Sequence, residues 1–207
     1  MTTAIDHDNR PRGRPVKSDD ERDAMKKRIT ETARQMFQEE GYAKVSMRRL
    51  AKQVGCSPMT LYKYYDGKIA ILQTLWGFVF DDIYERLNGQ SRNVSDPKER
   101  LRILCRTYVG YWIEHQDHYR LVFMTEGITQ PEVSMFIGTP EIAACIGLLA
   151  EAVTGCAEAV GSDHANKIKI DLLISSLHGI SLNIITISGY PWSDAEQMID
   201  HLVASIA

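Results

Sequence analysis

The chain has little that would suit life outside a reducing compartment. Its 207 residues carry only four cysteines, Cys56, Cys105, Cys145 and Cys156. They are scattered, with no CxxC pair and no short framework, so they read as small hydrophobes rather than as a disulfide set or a zinc site. No uninterrupted apolar run reaches the roughly 18 residues a membrane span needs. The first 23 residues, MTTAIDHDNRPRGRPVKSDDERD, have no apolar centre, so they do not read as a secretory signal. The expectation is a cytoplasmic protein without a membrane partner. Strand patterning, internal repeats and low-complexity tracts are also missing, which points away from sheets and solenoids. In the C-terminal two thirds no nucleotide-binding loop, HExxH or GxSxG occurs, so nothing there marks an enzyme or a cofactor site.

What is present is helical grammar and an uneven charge. Residues 1–68 hold 15 Lys and Arg against 10 Asp and Glu, while the rest of the chain is acidic. A basic front on an acidic body suggests that only the front meets a polyanion. Ser18 to Glu21 (SDDE) reads as a capping box, followed by Met25, Ile29, Ala33, Met36 and Phe37 at helical spacing up to Gly41. Ser46 can cap a short helix over 47–54 that Gly55 ends. Ser57 can cap another, with Pro58 at its first position. Further helices are expected over 68–87, with a loop at 88–95, then from Pro97 to about His115, over 116–124, from Pro140 to near Gly161, and over 164–188. Residues 125–140 read as irregular with at most a turn of helix. Ser193 to Glu196 (SDAE) reads as a second capping box before a final helix. The fold class is therefore all-α.

The two short helices at 47–54 and 58–65 are too short to stand alone. Ala51 is small where helices must approach, and Gly55 suits a tight turn. Leu50, Val54, Cys56, Leu61 and Tyr65 can face Ile29, Ala33 and Phe37, which is the arrangement of a helix-turn-helix. Met59, Thr60, Tyr62, Lys63 and Tyr64 must then point outward, where a recognition helix meets a DNA major groove. Lys68 opens the next helix, whose free N–H groups could hold a phosphate.

The stretch KVSMRRLAKQVGCSPMTLYKYYDGKIAILQTL resembles the DNA-binding domain of the TetR/AcrR family of bacterial transcriptional repressors, through Tyr62, Tyr64, Tyr65, Lys68 and Ile71 over about residues 25–75. The resemblance implies that Ser46, Met47 and Arg48 lie at the start of the second helix of the unit and meet phosphate or base. Pro58, Met59, Thr60, Tyr62, Lys63 and Tyr64 fall on the recognition helix, and Lys68 on a phosphate clamp. Tyr64 stands where the family often has histidine. It further implies a homodimer on a palindromic operator, with no cofactor. Domains follow as a basic arm at 1–22, the helix-turn-helix domain at 23–70, and a ligand-binding and dimerisation domain at 71–207. In the arm, Arg12-Gly13-Arg14-Pro15 resembles an AT-hook core, whose arginines could enter a narrow minor groove.

For the body, aromatic and soft residues are candidate contacts for an unknown small hydrophobic effector: Trp76, Phe80, Tyr108 and Tyr111, then Trp112, Phe123, Met124 and His178. His178 is the polar anchor, because a histidine in an apolar helix needs a partner. His115 and His118 have a spacing a metal could use, but read as a polar helix junction capped by Asp117. The stretch 164–188 is apolar on more than one side, and the last helix carries one stripe. In the family these two helices pair between subunits, which makes Leu173, Leu177, Ile180, Ile184, Met198 and Leu202 the expected dimer interface. The body also resembles, loosely, a domain with a Trp-His-Gly signature, here Leu177-His178-Gly179. The reading is a repressor released from its operator by a small molecule. Two rivals are an architectural DNA binder without an effector, which would lack a defined operator, and an enzyme carrying a DNA-binding module, which would show clustered titratable groups.

Overall fold

The structure, a computed structural model, describes residues 18–156 and 163–206, all of them helical or connecting segments. Arg12 and Arg14 lie outside the described residues, as does the expected helix end near Gly161. Helices α1 (Asp19–Glu40), α2 (Met47–Val54) and α3 (Pro58–Tyr62) form the N-terminal unit, with a single 3-10 turn at Tyr42–Lys44. α4 (Lys68–Ser91) leaves this unit and runs without a break into the body. The body adds α5 (Pro97–Glu114), α6 (Gln116–Phe123), α7 (Gln130–Ile137), α8 (Pro140–Cys156), α9 (Asp163–Thr186) and α10 (Ala195–Ile206).

Each end is set by local chemistry. The Ser18 hydroxyl accepts from the Glu21 N–H, and the Asp96 carboxylate accepts from the Glu99 N–H. Both satisfy donors that a helix start leaves free. Before α10 the cap is Asp194 rather than Ser193: its carboxylate accepts from Glu196 N–H at 2.9 Å and Gln197 N–H at 3.2 Å. A charged oxygen one residue nearer the helix outcompetes the serine hydroxyl.

Two expected loops are helix. α4 continues through residues 88–91, because Leu87 and Ser91, one turn apart, are both fully buried. Packing there overrides the Asn88-Gly89 break signal. Residues 130–137 form a complete helix, α7. Glu132 accepts from both the Thr129 N–H and the Thr129 hydroxyl at 2.8 Å, and Pro131 sits in the first turn. That Thr-x-x-Glu capping signal stands in the sequence, so the expectation of an irregular segment is corrected here.

α4 is the spine. Ile71, Leu72, Leu75, Trp76, Val79, Phe80, Ile83 and Leu87 are buried along it, against α1 at one end and α5 and α8 at the other. α5 packs on α4, α8, α9 and α10. α10 is tied to α5 by Asp200, which accepts from Arg102 at 3.1 Å and from Arg106 at 2.9 Å.

Candidate nucleic-acid interface and effector-binding interior

In the N-terminal unit, Ile29, Ala33, Leu50, Ala51 and Leu61 are fully buried and Phe37, Val54 and Tyr65 nearly so. Cys56, expected inward, is only half-buried. The turn between α2 and α3 depends on Gly55, at φ +79 and ψ +35. Its N–H donates to Lys52 O, and the Cys56 N–H donates back to Ala51 O at 2.9 Å. A side chain in that left-handed conformation is strained, so glycine is favoured there. The Ser57 hydroxyl accepts from the Thr60 N–H at 3.0 Å and starts α3. Arg49 locks α2 to the end of α1 through Glu40 at 2.7 Å and Lys44 O at 3.2 Å. This tie was not anticipated; an arginine reaching back nine residues across a turn leaves no periodic signal.

The outward residues sort into two groups. Met59 is 76% exposed and Tyr62 is 52% exposed, with Pro58, Lys63, Ser46 and Arg48 also exposed. These form one solvent-facing surface on the two short helices. Met47, Thr60 and Tyr64 are half-buried. The Thr60 hydroxyl lies 2.8 Å from that of Ser57. α3 stops at Tyr62, so Lys63 and Tyr64 lie in the turn that follows, and Tyr64 faces a groove beside α1. Lys68 is also more engaged than expected. Its Nζ donates to Tyr42 O at 2.6 Å and sits 4.0 Å from the centre of the Tyr42 ring, and burial lowers its pKa. It fastens the start of α4 to the 3-10 turn, so a role toward phosphate would use only its remaining N–H groups.

In the body, seven of the eight expected effector contacts join an aromatic network. Trp112, fully buried on α5, meets Phe80 at 6.3 Å, Tyr108 at 5.9 Å, Tyr111 at 5.2 Å and Phe123 at 5.1 Å between ring centres. His178 meets Phe123 at 4.5 Å, and its Nε2 lies 3.0 Å from the Tyr108 hydroxyl. Trp76 meets Phe136 of α7 at 4.8 Å with the rings tilted at 50°, and donates to Leu121 O at 2.9 Å. Burial pushes the Tyr108 phenol up and the His178 imidazole down, so both are neutral, and the imidazole tautomer sets which of them donates. The Trp112 indole N–H has no acceptor in hydrogen-bond geometry among the described residues. Met124 stands apart, on a groove of about 670 Å³ beside Gly41 and Tyr42.

His115 and His118 stack with ring centres 5.2 Å apart, but their nitrogens have other partners. His115 Nε2 lies 2.9 Å from Arg86, and His118 Nδ1 lies 2.8 Å from the Tyr111 hydroxyl. Asp117 does not cap the junction. It lies in the first turn of α6 and accepts from Gln38 of α1 at 3.1 Å, with Arg34 at 4.0 Å. α6 is thereby bonded to the N-terminal unit.

Two of the six expected interface residues are corrected. Leu173 and Leu177 are fully buried within the protomer and belong to its own core. Ile180, Ile184, Met198 and Leu202 are half-buried. The solvent-facing stripe of α9 instead runs through Ile168, Leu172, Ser175 and Leu182, with the half-buried Gly179 between the last two, at alternating four- and three-residue steps. By length and composition alone His164–Thr186 could also cross a membrane, with a mean hydropathy of 1.4.

Comparison with known proteins places these features. Residues 29–75 match the family model described as bacterial regulatory proteins, tetR family. The chain is 25% identical over 114 residues to the HTH-type transcriptional activator FasR of Mycolicibacterium smegmatis, covering 55% of this chain and 52% of that protein. It thus spans about half the length of this curated relative. Among solved structures, the transcriptional regulator FadR of Bacillus subtilis in complex with stearoyl-CoA is similar with a TM-score of 0.68 and 14% identity, covering 87% of this chain and 96% of that one. FadR of Thermus thermophilus, a transcriptional repressor in complex with lauroyl-CoA, is similar with a TM-score of 0.63 and 18% identity, over 87% and 92% of the two chains. At these identities the likeness establishes a shared fold.

Proposed function

We propose, on the premise that residues 29–75 are a DNA-binding domain of the TetR family of bacterial regulatory proteins, that this chain is a cytoplasmic, homodimeric transcriptional repressor released from a palindromic operator by an acyl-CoA thioester. One observation carries the reading. A solvent-facing surface of Met59, Tyr62, Lys63 and Arg48 is joined by the unbroken helix α4 to an aromatic interior. The exposed methionine and tyrosine can pack on and bond to base edges, and the two cations can hold phosphate. The interior around Trp112 offers aromatic faces to an acyl chain. The Trp112 N–H, which lies near the Tyr108 hydroxyl without good hydrogen-bond geometry, and the neutral Tyr108–His178 pair offer polar contacts to a carbonyl or thioester. Similarity to two FadR structures that hold acyl-CoA supports this ligand class.

Ligand seated among these rings would displace Phe123 of α6 and Phe136 of α7. α6 is bonded to α1 through Asp117 and Gln38, so its movement reaches the N-terminal unit. In a dimer held through α9 and α10, such movement changes the separation of the two reading surfaces, shifting the population away from the DNA-competent state. The DNA contacts proposed are those the family resemblance implies; the effector contacts are Trp76, Phe80, Tyr108, Tyr111, Trp112, Phe123 and His178, without Met124; and Leu172 and Leu182 replace Leu173 and Leu177 at the dimer face beside Ile180, Ile184, Met198 and Leu202.

The test is selection of binding sites from random duplex DNA, followed by titration of the selected site with and without lauroyl-CoA or stearoyl-CoA. A palindromic consensus whose affinity falls at least about tenfold with acyl-CoA is the expected result. Uniform binding to all sequences would favour an architectural role, and acyl-CoA that tightens binding would overturn release as the mechanism and make the ligand one that recruits the protein to DNA. A consensus indifferent to acyl-CoA would remove the effector class.

A further inference from the structure

A second concave surface lies outside the aromatic interior. It is a groove of about 810 Å³ between α1 and α4, closed at one end by α6. Its wall on α1 is one helix face, Asp23, Lys26, Lys27, Thr30, Glu31 and Arg34. Its floor on α4 and α6 is apolar: Leu75, Phe78, Val79 and Leu121. Phe78 is 59% exposed, although it sits on the helix that forms the spine of the core. None of the expected effector residues lines this groove.

The charges are not balanced once internal pairs are removed. Glu31 is held by Arg34 through two contacts, the shorter 2.7 Å, and Arg34 also faces Asp117. Asp82 is within 3.5 Å of Arg86. His118, at the α6 end, bonds to Tyr111. Lys26 and Lys27 form no ion pair among the described residues; Asp23 lies near them on the same face, and Lys27 adds to Arg34 in lowering the Glu31 pKa. One end of the groove is therefore cationic, and an apolar floor leads away from it. Lys26 and Arg34 are eight residues apart on α1, about 12 Å at the helical rise, so the groove is elongated.

We infer that this groove binds an amphipathic anion, with an alkyl chain along Phe78, Leu75 and Val79 and a carboxylate or similar head at Lys26 and Lys27. The floor supplies the transfer energy of an alkyl chain leaving water, and the two ammonium groups select the sign of the head. Because one wall belongs to the N-terminal unit and the floor to the body, occupancy is linked to the angle between them. This site is separate from the interior proposed for the acyl-CoA effector.

The test uses the full chain and two probes below their micellar concentrations, dodecanoate and dodecyltrimethylammonium, titrated by calorimetry. Saturable dodecanoate binding is expected, weakened about tenfold or more by Phe78→Asp and by Lys26→Glu with Lys27→Glu. The charge-reversed variant should bind the ammonium probe at least as well as the unaltered chain does. All three positions are exposed, and circular dichroism checks that each variant folds. Dodecanoate that enters the aromatic interior is reported by Trp112→Phe and His178→Asn, and the binding lost with Phe78→Asp should persist in both. Absence of saturable binding, equal binding by all groove variants, or loss confined to the interior variants would overturn the inference. The last of these would still leave the acyl-CoA reading standing.

Discussion

Leu172 and Leu177 are five residues apart on α9 and point to opposite sides of it, so substitution at each should fail in a different way. Leu177 is fully buried inside the protomer. Cutting it to alanine removes its transfer energy and leaves a cavity, a loss of about 2–5 kcal/mol of folding stability. Leu172 is 56% exposed. Roughly half of its side chain is still in water, so covering that remainder is worth about 1 kcal/mol at a typical 1.5–3 kcal/mol for a whole leucine. A two-fold interface uses the residue twice, so Leu172→Ala should cost about 2 kcal/mol of dimer affinity, or about thirtyfold in the dissociation constant. Leu172→Glu adds the desolvation of two carboxylates near the axis and should yield monomers at micromolar concentration. Ser175 and Gly179 lie between Leu172 and Leu182 on the same stripe, and such small residues let a second helix approach closely. The assays are light scattering for mass and urea unfolding for stability. Leu172→Glu should be a folded monomer, whereas Leu177→Ala should be a dimer that unfolds at lower denaturant. A Leu172→Glu variant that keeps the dimer mass would refute the assignment of this face and move the interface elsewhere.

Met59→Ala should leave unfolding unchanged and weaken a selected operator by about 1–3 kcal/mol, with little effect on random DNA; equal losses on both would remove base reading at that position. His178 has its pKa lowered by burial from an ordinary value of 6.5, so below pH 6.5 the unfolded chain takes a proton that the folded chain refuses. Stability should be intact above that pH and fall as the pH drops through it, at no more than about 1.4 kcal/mol per pH unit from this group. His178→Asn should flatten the decline in unfolding curves taken between pH 7 and 5, where His118, lowered for the same reason, contributes the rest. Gly127 lies at φ +83, and a Cβ there would stand 3.3 Å from Ala43 Cβ. Gly127→Ala should therefore cost about 1–2 kcal/mol in urea unfolding, and an unchanged midpoint would show that the connection between α6 and α7 yields freely.

Much of the N-terminal unit was legible because its signals are local. Ser18, Ser46, Ser57 and Pro58 mark helix starts within a turn of themselves, and Gly55 marks a backbone conformation other residues resist. Periodicity put Ile29, Ala33, Leu50 and Leu61 in one core, and they are there. The misreadings share a cause. Asn88-Gly89 reads as a loop unless Leu87 and Ser91 are known to be buried, and the glycines near α7 hid the Thr129–Glu132 cap. In each case, a contact or bond outweighs weak local propensities.

The sequence by itself determined an all-helical chain with a basic helix-turn-helix front, because helical period, caps and charge are properties of neighbouring residues. Only the tertiary structure decided how the faces were used. A helix apolar on two sides, as α9 is, does not say which side meets its own core; packing against α5, α8 and α10 buried Leu173 and Leu177 and left Leu172 outside. Nor could spacing show that the Lys68 ammonium would be held over Tyr42, 26 residues away, or that Asp117 would reach Gln38 across 79 residues. The groove between α1 and α4 exists only once two helices distant in the chain lie side by side. Such contacts depend on where chain segments meet in space, which no local pattern encodes.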